Sequence, residues 1–202
     1  LEEKLASYQY QLKCSEDEIA EREEEAEILK QRLLDITGEK IRHEVRLAQL
    51  KSTYEDLISK LNSQIENQEV TIKTFEEKIS VTFVDRILFE LGKATVTPEG
   101  RRILDKVGKS LKGVSARSIR IEGHTDDIPI QEKYRYKYPS NWELSAARAA
   151  AVVRHLQENV GLDPKDLEAV GNSIYEPIAR NETEHGRAQN RRVSIIIAPK
   201  IR

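Results

Sequence analysis

The sequence contains no methionine, a single cysteine and no long apolar run. With Cys14 alone, an intrachain disulfide is impossible. No stretch of about 18 apolar residues occurs, so the sequence predicts no membrane-spanning helix, and it begins with no signal peptide. Because a natural start supplies a methionine and this chain begins at Leu1, we expect a fragment whose membrane anchor lies upstream.

Proline and glycine are almost missing from the first 80 residues. All six prolines follow residue 80, and Gly38 is the only one of nine glycines that precedes it. The charge changes there too: residues 1–80 hold 12 Lys and Arg against 19 Asp and Glu, and residues 81–202 hold 21 against 16. The sequence therefore predicts two domains, 1–80 and 81–202. The positive charge of the second is too small to indicate a nucleic-acid partner.

Apolar residues in the first region recur at alternating spacings of four and three, as in a heptad repeat. One column of this seam consists of Leu5, Leu12, Ile19, Ala26 and Leu33. The spacing continues through Leu57 and Leu61 to Ile79. A stripe this narrow needs a partner helix, so we expect residues 1–80 to form a parallel coiled-coil homodimer. Gly38 leaves two alternatives open, a bend in one long coil or a turn that folds the helix back as a hairpin.

Strand and helix signals alternate in the second region. Val81 to Glu90 is rich in β-branched and aromatic residues, which is typical of a strand. Helices are predicted to begin at Pro98 and, through a capping box at Ser140, near Asn141. The second of them is predicted to run to about Asn159 and to end at Gly161. The further strands are predicted at Ser118 to Glu122, Leu167 to Val170 and Val193 to Ala198. The order β-α-β-α-β-β predicts a helix-on-sheet sandwich of the α/β (α+β) class, preceded by the long coil.

Three polar segments in the second region carry a recognisable pattern: Gly123 to Asp127, Asn141 to Ala149, and Gly186 to Val193. In this order they closely resemble the OmpA-like peptidoglycan-binding domain, over about residues 80–200. The residues from Asp126 to Ile130 and from Ser140 to Ser145 are most similar to the MotB branch, whose members are peptidoglycan-anchored stator subunits of ion-driven motors.

The resemblance implies that Asp126 and Arg148 hold the free end of diaminopimelate in the peptidoglycan stem peptide. That end carries an ammonium and a carboxylate, which a fixed carboxylate and a fixed guanidinium match in charge. The alternative is that Asp126 and Arg148 simply pair with each other. The resemblance also places these residues at the ligand pocket: Thr125, Asn141, Leu144, Asn190 and Arg191.

Several of these residues have a second interpretation. Asn141 is either part of the pocket wall or only a helix cap, and Trp142 is either a buried anchor for its helix or a ring that stacks on ligand. Of Arg191 and Arg192, at least one is expected to brace the pocket and another to be solvated. The loop from Ile128 to Pro139 is either a mobile surface flap or, because basic and aromatic residues interleave there, a stacking surface.

The resemblance implies a non-enzymatic tether that binds peptidoglycan and anchors a membrane complex to the wall. It also implies a periplasmic location, a transmembrane helix upstream that anchors it in the inner membrane, and a MotA-like ion-channel subunit as partner. The sequence has no Gly-x-Ser-x-Gly nucleophile motif, and its four histidines lack metal-ligand spacing, so no enzyme, metal or cofactor is predicted. The alternative is an OmpA- or Pal-type structural envelope protein that links the outer membrane to the wall.

Overall fold

The computed structural model describes residues 2–112 and 117–200, apart from the side chains of residues 2, 3 and 6. The chain divides into two compact units, Leu1–Ala48 and Gln49–Arg202. Within the described part of the chain, no helix combines the length and the apolar character that a bilayer span requires.

The helices and strands confirm the predicted fold class, a mixed α/β sheet with helices after a long N-terminal helix. In chain order they are α1 (Glu2–Glu66), β1 (Val70–Phe75), β2 (Lys78–Val84), α2 (Asp85–Leu88), α3 (Pro98–Leu111), β3 (Arg117–His124), α4 (Glu132–Arg135), α5 (Asn141–His155), β4 (Leu167–Gly171), α6 (Glu184–Asn190) and β5 (Arg192–Pro199). A π-helical turn at Leu156–Val160 extends α5, and Gly161 ends it in the left-handed conformation, with φ of 79°. That is where the sequence predicts the end of this helix.

The first unit is a stretch of α1 whose heptad seam faces solvent. Gly38 lies inside the helix, so the hairpin alternative is wrong. Leu5, Leu12 and Leu33 all belong to the predicted seam, and each is more than 60% exposed. The single chain therefore leaves this apolar column uncovered.

The helix ends at Glu66, so the coil predicted to continue to residue 80 is wrong over its last residues. Val70–Phe75 and Lys78–Val84 instead form an antiparallel hairpin in the sheet. Four of the five residues from Val70 to Thr74 are β-branched, which favours a strand. Gln68, with φ of 57°, takes the left-handed conformation and turns the chain away from the helix axis.

The last turns of α1 belong to the core of the second unit. Leu57 and Leu61 are fully buried among the core residues, and Leu50 and Tyr54 pack against them. Lys60 Nζ also lies 3.1 Å from Ser110 Oγ on α3. This part of the predicted seam therefore packs into its own domain.

The sheet has the strand order β1-β2-β5-β3-β4. β3 and β4 are parallel, and the other neighbours are antiparallel. One face of the sheet is buried under the helices through alternate residues of the central strands: Val81, Phe83, Ile119, Ile121, Val193, Ile195 and Ile197. The strand predicted from Val81 to Glu90 ends at Val84, because one helical turn (α2) allows the consecutive residues Ile87, Leu88 and Phe89 all to be buried.

Helix α5 lies unusually close to the ends of β3 and β4. A Cβ on Gly123 would lie 2.2 Å from Ser145 O, and one on Gly171 would lie 2.8 Å from the Cβ of Ala146. Glycine is therefore required at both strand ends. This close approach brings the chain that leaves β3 next to the first turns of α5.

Candidate functional site

A small cavity lies where the end of β3, the start of α5 and the turn of α2 meet. Its volume is about 140 Å³. It combines four charged side chains with an apolar wall, and its lining consists of Asp85, Leu91, Gly92, Thr125, Asp126, Ile128, Pro129, Ile130, Gln131, Tyr134, Asn141, Leu144, Arg148 and Arg191. Six of the seven residues predicted for the site therefore line one cavity together with Asp85, and Asn190 is the predicted residue that does not.

Asp126 is held by two contacts at the mouth of the loop that follows β3. Arg191 Nη1 lies 2.5 Å from Asp126 Oδ2, and the backbone N–H of Ile128 donates to Asp126 Oδ1 at 3.2 Å. Only 7% of Asp126 is exposed. The carboxylate is therefore fixed in orientation by a guanidinium and a backbone amide.

Arg148 is buried beneath the same cavity and pairs with a different acid. Its Nη2 lies 2.8 Å from Asp85 Oδ2, its Nε donates to the carbonyl of Lys93 at 3.1 Å, and its guanidinium stacks over the ring of Phe89. The alternative that Asp126 and Arg148 pair with each other is wrong, because each has its own partner of opposite charge.

Burial dominates the electrostatics of the Asp85–Arg148 pair. It raises the pKa of Asp85 to about 6, against the opposing attraction of Arg148 and Arg191. Burial likewise lowers the pKa of Arg148, while Asp85 acts in the other direction. Both charges have thus given up hydration that a ligand of complementary charge would partly replace.

Two buried oxygen atoms in the cavity lining lack a partner. Within the residues that the structure describes, Asp85 Oδ1 and Thr125 Oγ1 make no hydrogen bond. The backbone of Thr125 is nevertheless fixed, since its N–H donates to Ser173 O at 2.9 Å. Unsatisfied acceptors of this kind are uncommon in folded proteins, and they mark the cavity as a place for a polar ligand.

Asn141 shapes the cavity and is not the helix cap. Ser140 is the N-cap of α5, and its side chain forms the predicted capping box with Glu143. Asn141 Nδ2 instead donates to the carbonyl of Ile128 at 3.1 Å, which holds the loop after β3 against the helix. Leu144, one turn further, is buried in the cavity wall.

The structure separates Asn190, Arg191 and Arg192, which the sequence groups together. Arg191 faces the cavity. Asn190 is fully buried away from it, and its side chain holds the backbone of Ile178 and Ala179. Arg192 is also buried, so the expectation of a solvated arginine is wrong for this residue.

Trp142 is neither buried nor isolated. It is 49% exposed, so the buried-anchor interpretation is wrong. Its ring stacks on that of Tyr175, with centroids 5.3 Å apart and planes inclined by 29°.

The loop after β3 is more than a surface flap, since Ile128 to Gln131 and Tyr134 form one wall of the cavity.

His124 lies outside the cavity lining, between two carboxylates. Its buried ring nitrogens are each 3.8 Å from a carboxylate oxygen, of Glu122 on one side and Glu176 on the other. Both carboxylates also attract the guanidinium of Arg192. The group therefore already contains a fixed cation, which disfavours a divalent metal there.

Asp85 is the functional candidate that sequence reasoning missed. The sequence places it in the middle of the strand predicted from Val81 to Glu90, where side chains alternate between the two faces of the sheet. The signal that was available is an acidic residue inside an otherwise apolar segment, Val81 to Phe89. A buried acid needs a partner of opposite charge, and Arg148 supplies it.

Comparison with known proteins places this site in a family. The model of the OmpA family matches residues 88–191, just over half of the chain. Motility protein B of Bacillus subtilis is 37% identical over 154 residues, covering 76% of this chain and 57% of the relative. The chain thus spans little more than half the length of that curated relative.

Solved structures show the same fold. The cell wall anchor of the T6SS from Pseudomonas aeruginosa is 34% identical in sequence and superposes with a TM-score of 0.63. The match covers 71% of this chain and 96% of that one. A MotB-like protein from Desulfovibrio vulgaris superposes with a TM-score of 0.69 at 24% identity, and the match covers 79% of this chain and 96% of that one. With its family match, its MotB relatives and this fold, the chain belongs to the OmpA family.

Proposed function

We propose that residues 49–202 bind peptidoglycan without cleaving it, and that they do so by binding the free end of diaminopimelate in the stem peptide. The observation that carries this proposal is the pair of fixed opposite charges, Asp126 and Arg148, in one small cavity. The free end of diaminopimelate carries an ammonium and a carboxylate on one carbon. A carboxylate and a guanidinium on opposite sides of the cavity complement both groups.

The way these charges are held favours binding over catalysis. Both cavity carboxylates are already paired with arginines, Asp126 with Arg191 and Asp85 with Arg148. Carboxylates fixed by guanidinium groups are better suited to orienting a charged ligand.

The relatives support an anchoring role. A protein that is 34% identical over most of this domain is described as a cell wall anchor, and another relative is a motility protein. We infer that this chain is the wall-binding part of a periplasmic, stator-like complex. A transmembrane helix upstream would hold it in the inner membrane beside a MotA-like ion-channel subunit.

The exposed seam of the first unit supports dimerisation. Leu5, Leu12 and Leu33 lie in one column and are exposed in the single chain. Covering such a column with a second copy in parallel gives a coiled coil. Two wall-binding domains at the same end would then combine modest affinities through a high effective concentration.

Binding to purified sacculi tests the proposed site. Asp126→Ala and Arg148→Ala should each reduce the fraction of protein that sediments with sacculi, whereas Arg154→Ala, an exposed position on the same helix as Arg148, should not. Undiminished binding by both cavity variants would remove the site. Release of soluble muropeptides by the wild-type protein would contradict the non-enzymatic part of the proposal.

A further inference from the structure

One buried carboxylate oxygen of the residues that line the cavity has no hydrogen-bond partner in the part of the chain that the structure describes. Asp126 employs both of its oxygens, Oδ2 with Arg191 and Oδ1 with the N–H of Ile128. Asp85 employs only one, since Oδ2 contacts Arg148 while Oδ1 is buried without a partner among the described residues. Each carboxylate oxygen can accept two hydrogen bonds, so Asp126 keeps some accepting capacity as well. Among the described residues that line the cavity, Asp85 is the acid with an oxygen that has no partner.

The fold fixes the backbone of Asp85 on two sides. The backbone N–H of Asp85 donates to the carbonyl of Arg191 at 2.9 Å. Its carbonyl accepts from the N–H of Phe89, which closes the turn of α2. Asp85 is thus fixed to the β5 side of the site by its backbone and to α5 by Arg148. A buried carboxylate with an unpartnered oxygen lowers the stability of the fold. Groups held in this way are often found at binding sites.

We propose that Asp85 is a further binding residue, whose Oδ1 accepts a hydrogen bond from the ammonium of the ligand while its Oδ2 orients Arg148 toward the ligand carboxylate. This inference rests on the proposed function, because it assigns a contact to the same zwitterionic end. Asp85 then adds an acceptor for the ammonium beside Asp126 and also positions Arg148 for the carboxylate. The hydroxyl of Thr125 lines the same cavity, also lacks a partner among the described residues, and adds a neutral acceptor.

A pair of synthetic stem peptides tests this contact directly. The first is L-Ala-γ-D-Glu-meso-diaminopimelate. The second ends in 2-aminopimelate, whose only amino group lies in the peptide bond, so its free end keeps the carboxylate and lacks the ammonium. Affinities of both peptides are measured by titration calorimetry for the wild-type chain, for Asp85→Asn and for Asp105→Asn. The last variant is the matched control, because it removes a carboxylate that pairs with His155 and does not line the cavity.

The asparagine retains an oxygen for Arg148 but loses the charge. We expect Asp85→Asn to weaken binding of the diaminopimelate peptide by about 10- to 100-fold, as for a lost charge-assisted hydrogen bond. It should change the affinity for the aminopimelate peptide by less than about threefold, because the free end of that peptide has no ammonium for Asp85 to contact. Asp105→Asn should leave both affinities as in the wild-type chain.

Two results distinguish failure of the inference from failure of the proposed function. Equal losses for both peptides in Asp85→Asn, or no loss for either, would overturn the ammonium contact, and equal losses would leave Asp85 as a residue that only positions Arg148. If the wild-type chain binds neither peptide, the proposed ligand is wrong and this inference with it.

A measurement on the wild-type chain alone removes any dependence on how the variant folds. With ¹³C-labelled aspartate, the carboxyl resonance of Asp85 should shift when the diaminopimelate peptide is added and should shift much less with the aminopimelate peptide. Equal shifts with the two peptides would contradict the contact.

Discussion

Arg191 Nη1 lies 2.5 Å from Asp126 Oδ2, although the two residues are 65 positions apart in the chain. The other terminal nitrogen of Arg191 reaches Glu184 Oε1 at 2.6 Å. Asp126 is therefore oriented by a residue at the end of α6.

Removing Arg191 should weaken ligand binding without touching the ligand-binding acid itself. We expect Arg191→Ala to lower the affinity for sacculi by about tenfold, because Asp126 loses the charged hydrogen bond that fixes its orientation. Arg187→Ala is the matched control, since Arg187 also pairs with Glu184 but does not line the cavity. A sedimentation titration measures both, and equal losses in the two variants would show that only the stability of α6 matters.

Binding should depend on pH through Asp85. Burial raises the pKa of this carboxyl to about 6, against the attraction of Arg148 and Arg191 and with the repulsion of Asp126. Because the charged form is the one proposed to accept the ammonium, protonation should compete with the ligand, and affinity should rise as the pH increases through about 6.

The expected size is a gain of roughly tenfold in affinity for the diaminopimelate peptide between pH 5 and pH 7. Calorimetry at several pH values in one buffer series measures it. Asp85→Asn serves as the control, because it has no proton to release and should show a flatter profile. A wild-type profile that is as flat as that of the variant would contradict the role assigned to this carboxyl.

Gly92 should control the width of the cavity. It has φ of 69°, and a Cβ there would lie 2.4 Å from Cε2 of Tyr134. We expect Gly92→Ala to displace Tyr134 from the cavity wall and to reduce affinity for the diaminopimelate peptide.

Gly161 provides a matched control for the backbone effect. Its φ is 79°, and among the described residues an added Cβ would meet only Lys112 Nζ, at 3.8 Å. Both alanine variants should lose about 1–2 kcal/mol of unfolding free energy from the left-handed conformation, and only Gly92→Ala should also lose affinity. Thermal unfolding and calorimetry together decide this, and unchanged binding in Gly92→Ala would mean that Tyr134 does not shape the site.

Charge in the exposed heptad column should dissociate the proposed dimer. Leu12→Asp combined with Leu33→Asp places two carboxylates in the seam, and sedimentation equilibrium of the whole chain should then report a monomer. Ser7→Asp combined with Gln31→Asp adds the same charge beside the seam and should leave the dimer intact. A wild-type chain that is monomeric at tens of micromolar would contradict the coiled coil.

Local patterns explain what the sequence could predict. The capping box at Ser140, the helix start at Pro98 and the glycine at the end of α5 depend on a few neighbouring residues, and each lies where the sequence places it. Six of the predicted site residues line the cavity, and the sequence indicates them because each of the three polar segments is continuous in the chain.

Contacts between residues that lie far apart in the chain explain what the sequence could not predict. Asp85 meets Arg148 across the fold, and nothing near either residue in sequence indicates the other. The spacing of Leu57 and Leu61 continues the seam of Leu12 and Leu33, because an apolar helix face has the same period whether it packs on a second helix or on its own domain. Periodicity alone therefore cannot locate the point where α1 enters the core.

The burial of Leu57 and Leu61 has a mechanical consequence. A load applied to the helix at residue 49 reaches the hydrophobic core directly, since no loop lies between that point and these two side chains. Extracting the helix would expose both leucines together, at about 1.5–3 kcal/mol each, and would also break the contact between Lys60 and Ser110. The connection can therefore transmit tension to the domain without stretching, which is what a chain pulled from one end requires.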